Sequence, residues 1–101
     1  MGTKLLDIPM HDGSRHFATL PENSSWEIFR QHIDILEGAF VSDYLTDGIT
    51  EMWLDFSFRG HSFTVNNQFG EFWFFVQDPC APVELLAAVT IHFQTLLSEK
   101  S

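Results

Sequence analysis

The sequence predicts one two-layer α+β domain, in which an antiparallel sheet of three or more strands carries two helices packed on one face. Three observations predict it. Apolar residues alternate at a period of two through most of Met52–Val76, the period of a half-buried strand. Two flanking stretches, Trp26–Leu36 and Leu86–Leu97, repeat their apolar residues at three and four, the period of an amphipathic helix. Each pattern has one apolar face, and such faces are buried by stacking as layers around a shared core. The 101 residues, 45% hydrophobic and 15% aromatic, fit a single domain spanning residues 1–101 and argue against a disordered chain. No repeat, low-complexity tract or linker-like shift divides it.

The elements follow in chain order. Asp12-Gly13 is a favoured two-residue turn, because both residues tolerate positive φ. A hairpin centred there pairs Ile8 with Phe17 and Leu6 with Thr19. Pro9 has no N–H and confines its strand to an edge. Ser24-Ser25-Trp26-Glu27 reads as a capping box with Ser24 as N-cap. Trp26, Phe29, Ile33 and Leu36, with Phe40 as a further candidate, share one face of the helix that follows. Arg30 and Asp34 are spaced to pair along it, and Gly38 is its expected stop. Phe40-Val41 and Tyr44-Leu45 have strand composition. A tight turn at Asp47-Gly48 sets Asp43 opposite Met52 on an apolar face, however, so Ala39–Gly48 is read as a longer, irregular connection.

Arg59-Gly60 and Phe69-Gly70 are tight turns between strands. Pairing about the first sets Phe56 opposite Phe63 and Leu54 opposite Val65. Pairing about the second sets Val65 opposite Phe74 and Phe63 opposite Val76. Both registers align apolar with apolar. The resulting core face holds Met52, Leu54, Phe56, Phe58, Phe63, Val65, Phe72, Phe74 and Val76. Asp78-Pro79-Cys80-Ala81-Pro82 ends the sheet. Pro82 suits a first helical turn and Glu84 the positive end of the helix dipole. Leu86, Val89, Phe93 and Leu96 or Leu97 form the second apolar stripe.

The same registers define the opposite face. Trp53, Asn66 and Trp73 form one row across the strands, Asp55, Thr64 and Phe75 the next, and Ser57, Ser62 and Gln77 the third. Large aromatics on a polar face are covered by the chain's own segments, serve as an interface or line a small-molecule site. Trp53, Asp55, Asn66, Trp73 and Phe75 are therefore the candidate partner-binding residues.

Charge narrows the partner. Fourteen acids against five bases give a formal charge of −9, which disfavours nucleic acid and anionic membrane surfaces. No apolar run of about 18 residues is present to span a membrane. A single Cys excludes an intramolecular disulfide. With no signal-like stretch over Met1–Met10, the expected compartment is the cytoplasm.

Candidate chemistry is sparse. Cys80 precedes a helix N-terminus, where a thiol pKa falls, but Asp78 opposes the thiolate and no catalytic motif surrounds it. His11, His16, His32, His61 and His92 include no four-residue helical metal spacing. Asp7, His11, Asp12 and His16 converge only if the first hairpin forms. Asp34, Glu37, Asp43, Asp47, Glu51 and Asp55 lie between Arg30 and Arg59 with no base among them, and read as a solvated surface. No glycine motif cradles a phosphate. The expectation is no catalytic residue, no metal and no cofactor.

The function that fits is a small acidic, non-enzymatic protein-binding domain. A neutraliser or mimic presents the acids of Asp34–Asp55 to a basic protein. A chaperone-like adaptor, as a dimer, holds an extended segment on an apolar face. The alternatives are a small-molecule-binding or enzymatic domain using His and carboxylates, and a structural homo-oligomer. Asp55 beside the Trp residues favours a heterologous partner over a homodimer.

Overall fold

The computed structural model describes residues 5–22, 24–46 and 51–97. In chain order they form β1 (Ile8–Pro9), β2 (Arg15–Pro21), α1 (Trp26–Ile33), β3 (Ala39–Thr46), β4 (Met52–Phe58), β5 (His61–Gln68), β6 (Glu71–Val76) and α2 (Val83–Leu97). One antiparallel six-stranded sheet has the order β1-β2-β6-β5-β4-β3. Among the described residues, no helix is long and apolar enough to cross a membrane.

The meander β4–β5–β6 has the register that the apolar rows require. Phe56 lies opposite Phe63, Leu54 opposite Val65, Phe63 opposite Val76 and Val65 opposite Phe74. Arg59 and Gly60 have φ of 52° and 83°, and Phe69 and Gly70 have 54° and 76°. Positive φ at both central residues gives turns whose twist matches the strands they join. All nine residues expected on the core face are buried.

Both helices close over that face. Phe29 of α1 packs on Phe72 at 4.2 Å between ring centroids, and on Phe93 of α2 at 4.6 Å. Phe93 in turn reaches Phe74 at 5.2 Å. A reciprocal pair joins the two helices. The His32 ring donates from Nε2 to the His92 carbonyl at 2.8 Å, and the His92 ring donates from Nε2 to the His32 carbonyl at 2.7 Å. The rings stack at 4.1 Å. The His32 carbonyl lies in the last turn of α1, where carbonyls lack helical partners, so His92 satisfies a group that α1 leaves open.

Several local expectations are corrected. Ile8 lies opposite His16, not Phe17. The Met10 N–H donates to Ser14 O, and Gly13 takes φ +90°. His11-Asp12-Gly13 is thus a three-residue loop, and the added residue moves the register by one. The N-cap of α1 is Ser25, which accepts from the Ile28 N–H at 3.2 Å, not Ser24. The helix ends at Ile33, and Gly38 with φ +90° closes the turns that follow it. Arg30 and Asp34 do pair, at 3.7 Å.

Phe40 is not on a helix, and Ala39–Thr46 is not irregular. The segment is β3, paired along its length with β4. A bulge between Val41 and Asp43 inserts one residue, which breaks the strict alternation that a sequence pattern follows. Asp43 thereby lies opposite Asp55, not Met52. The expected turn at Asp47-Gly48 falls outside the described residues. Pro82 precedes α2, and its carbonyl accepts from the Leu85 and Leu86 N–H groups. Cys80 is exposed.

Candidate functional site: the open face of the sheet

The helices cover one side of the sheet and leave the other open. On the open side Trp53, Asn66 and Trp73 align across β4, β5 and β6, and Asp55, Thr64 and Phe75 align in the next row. β2 continues both rows. Thr19 lies opposite Trp73, and His16 opposite Phe75.

β2 splits the five expected partner-binding residues into two groups. His16 is 4% exposed and stacks on Trp73 at 4.7 Å and against Phe75 at 4.9 Å. Phe75 is left 8% exposed. His16 holds its place through Nε2, which lies 3.1 Å from Ala18 O and 3.0 Å from Thr19 Oγ1. Burial lowers the pKa of His16, while its bond to Ala18 O and the charge of Glu71 oppose that shift. Among the described residues Trp73 Nε1 is buried without a partner, a cost the stacking must offset. Trp73 and Phe75 are therefore largely internal contacts of the β2–β6 half.

Trp53, Asp55 and Asn66 line a groove of about 640 Å³, together with Phe75, Thr64, Ser42 and the Met10–Ser14 loop. Trp53 is 46% exposed. Its Nε1–H donates to Asp55 Oδ1 at 3.1 Å, and the Thr64 hydroxyl donates to the same oxygen at 2.7 Å. Among the described residues no donor meets Asp55 Oδ2. Gln68 Nε2 donates to Asn66 Oδ1 at 2.9 Å, which fixes the amide with its own N–H groups left for other acceptors.

The loop across the groove adds a second carboxylate. The Ser14 hydroxyl and N–H both donate to Asp12 Oδ1, at 2.7 and 3.0 Å, and the hydroxyl bond leads in lowering the Asp12 pKa. Asp12 and Asp55 thus both line the groove. No Lys or Arg lines it among the described residues.

The hairpin forms, but of its four candidate ligands only His11 and Asp12 line the groove, while Asp7 and His16 are drawn elsewhere. Asp7 lies 3.4 Å from the Arg15 guanidinium, and His16 is packed into the β2–β6 aromatic stack. No group of three or more potential metal ligands occurs among the described residues. Sequence reasoning missed the Met10–Ser14 loop, Ser42 and Gln68 as groove residues. The loop's place depends on β2 joining β6, for which the sequence carries no local signal. Comparison with protein-family models, curated proteins and solved structures finds no match to the chain.

Proposed function

We propose that this chain is a non-enzymatic binding domain whose open face receives a cationic segment of another protein. The observation that carries the reading is the groove lining. It holds Asp12, Asp55 and the half-exposed Trp53, and among the described residues no Lys or Arg neutralises the carboxylates. A Lys or Arg meeting Asp55 Oδ2 gains a charge-assisted bond, and its aliphatic stem packs on the Trp53 ring. The net charge of −9 steers such a partner into encounter.

The test is affinity capture from native extract at low and moderate salt, using wild type, Asp55→Asn and Trp53→Ser. Asp55→Asn keeps an acceptor for Thr64 and removes the charge. Trp53→Ser removes the exposed ring and spares the Trp73 stack. The expected result is a basic protein retained at low salt, released as salt rises, and lost from both variants. Folded variants that capture every partner as wild type does would refute the reading. A small polar ligand is the second reading, favoured by the groove's 640 Å³, a volume within the roughly 300–1,000 Å³ typical of ligand sites. Native mass spectrometry of the purified protein checks it through a bound small mass absent from Asp55→Asn.

A further inference from the structure

The two edges of the sheet are built differently. One ends in β1, two residues long and containing Pro9. A short strand with a proline is a poor template for further pairing. The other edge is β3, eight residues long, Ala39–Thr46, with no Pro, Lys or Arg in it. It is blunted by the bulge between Val41 and Asp43 and by Asp43 itself, whose Oδ1 accepts from the Tyr44 N–H at 3.0 Å.

β3 also carries unburied apolar groups on the open side. Phe40 is 70% exposed and Leu45 56%, and Leu45 lies opposite the half-exposed Trp53. Between these apolar residues Asp43 lies opposite Asp55. Like charges facing across a strand pair destabilise it, and no Lys or Arg occurs between Arg30 and Arg59 in the chain. An added strand with Lys or Arg level with Asp43 relieves that repulsion. Its alternate side chains meet Phe40 and Leu45, while its backbone pairs with the open edge.

We propose that β3 is a docking edge for an extended, cationic strand of another protein, which joins the sheet by strand addition. The proposal rests on the protein-binding reading above and names the partner's form and charge. A second copy of this chain fits the edge poorly. An antiparallel β3 pair centred on Asp43 sets the two Asp43 residues together on a protein already at −9. The same acid that admits a basic strand thus rejects a self-pair.

Two eight-residue peptides test the proposal, one alternating Lys with Val and Thr, the other with Glu in place of Lys. Titration calorimetry measures affinity, and amide hydrogen exchange locates the contact. The Lys peptide is expected to bind more weakly as salt rises, and to slow exchange of β3 amides. The Glu peptide is expected not to bind. Leu45→Lys and Asp43→Lys alter exposed side chains, so circular dichroism should report an intact fold, and each should weaken Lys-peptide binding about tenfold or more.

Three results would overturn the inference. Lys-peptide binding that protects only β4 and β5, and that persists in both edge variants, places the partner in the groove and leaves the protein-binding reading standing. Binding of neither peptide removes the edge as a docking site, while the capture experiment with Asp55→Asn judges the broader reading separately. A dimer seen by light scattering, and dissociated by Leu45→Lys, makes a second copy the occupant.

Discussion

His16 and His92 are the residues through which acid acts on this fold. Burial lowers the pKa of both, and His92 is lowered further by the His32 ring stacked on it, against a raising bond to the His32 carbonyl. In the unfolded chain each imidazole titrates near its ordinary value of about 6.5. The unfolded state therefore binds protons at a pH where the folded state does not, and stability falls as pH falls. The contribution is complete above about pH 6.5 and is lost on descent through the lowered folded pKa. Asp12 acts in the same sense at lower pH, because its lowered carboxyl pKa adds stability that is lost only as pH falls below about 4. The expected outcome is a lower urea midpoint at pH 5.5 than at pH 7.5. His92→Gln keeps a donor for the His32 carbonyl and removes one titration, so the same pair of measurements should differ less. This contact was not legible beforehand, because His32 and His92 lie 60 residues apart and no spacing rule joins them.

At the scale of elements, legibility followed locality. The strands β4, β5 and β6 were readable because each tight turn sets a register that the apolar rows can check. The errors lie where one residue is added or lost. The three-residue loop at His11-Asp12-Gly13 moved the first hairpin's register, and the Val41–Asp43 bulge hid β3. A bulge places two residues against one, so its sequence reads as broken alternation. The turns themselves carry a testable strain. Phe69 has φ +54° and is 89% exposed, whereas this turn type favours Asn-Gly. Its ring meets Trp73 only in a tilted contact at 6.1 Å. Phe69→Asn is expected to stabilise the protein by about 1 kcal/mol, the low end of the cost of a strained left-handed residue. Equilibrium denaturation checks this, and a loss of stability would show that the Phe69–Trp73 contact outweighs the strain.

The described residues share one core, and Phe63 is packed within it. Phe63 is buried and meets Phe56 at 5.1 Å, Phe17 at 5.8 Å and Phe58 at 6.5 Å. Phe63→Ala is expected to cost about 3–5 kcal/mol, a large part of the 5–15 kcal/mol typical of a domain. Calorimetry should show a sharply lowered melting temperature. The candidate site was half legible at this scale. Its rows follow from the meander, so Trp53, Asp55 and Asn66 were placed together in advance. Its far wall and the cover over Trp73 come from the Met10–Ser14 loop and His16, which reach the face only because β2 pairs with β6.

That same pairing orders events during synthesis. Arg15 lies opposite Val76 and Pro21 opposite Glu71, so β2 leaves the ribosome long before its neighbour β6 exists. At about 5–20 residues per second, the wait for β6 is on the order of 3–10 s. Strands β4, β5 and β6 each find a partner in the strand just made. Phe17, Ala18 and Leu20 of β2 therefore wait on that timescale for β6 and α2 to complete the core that buries them.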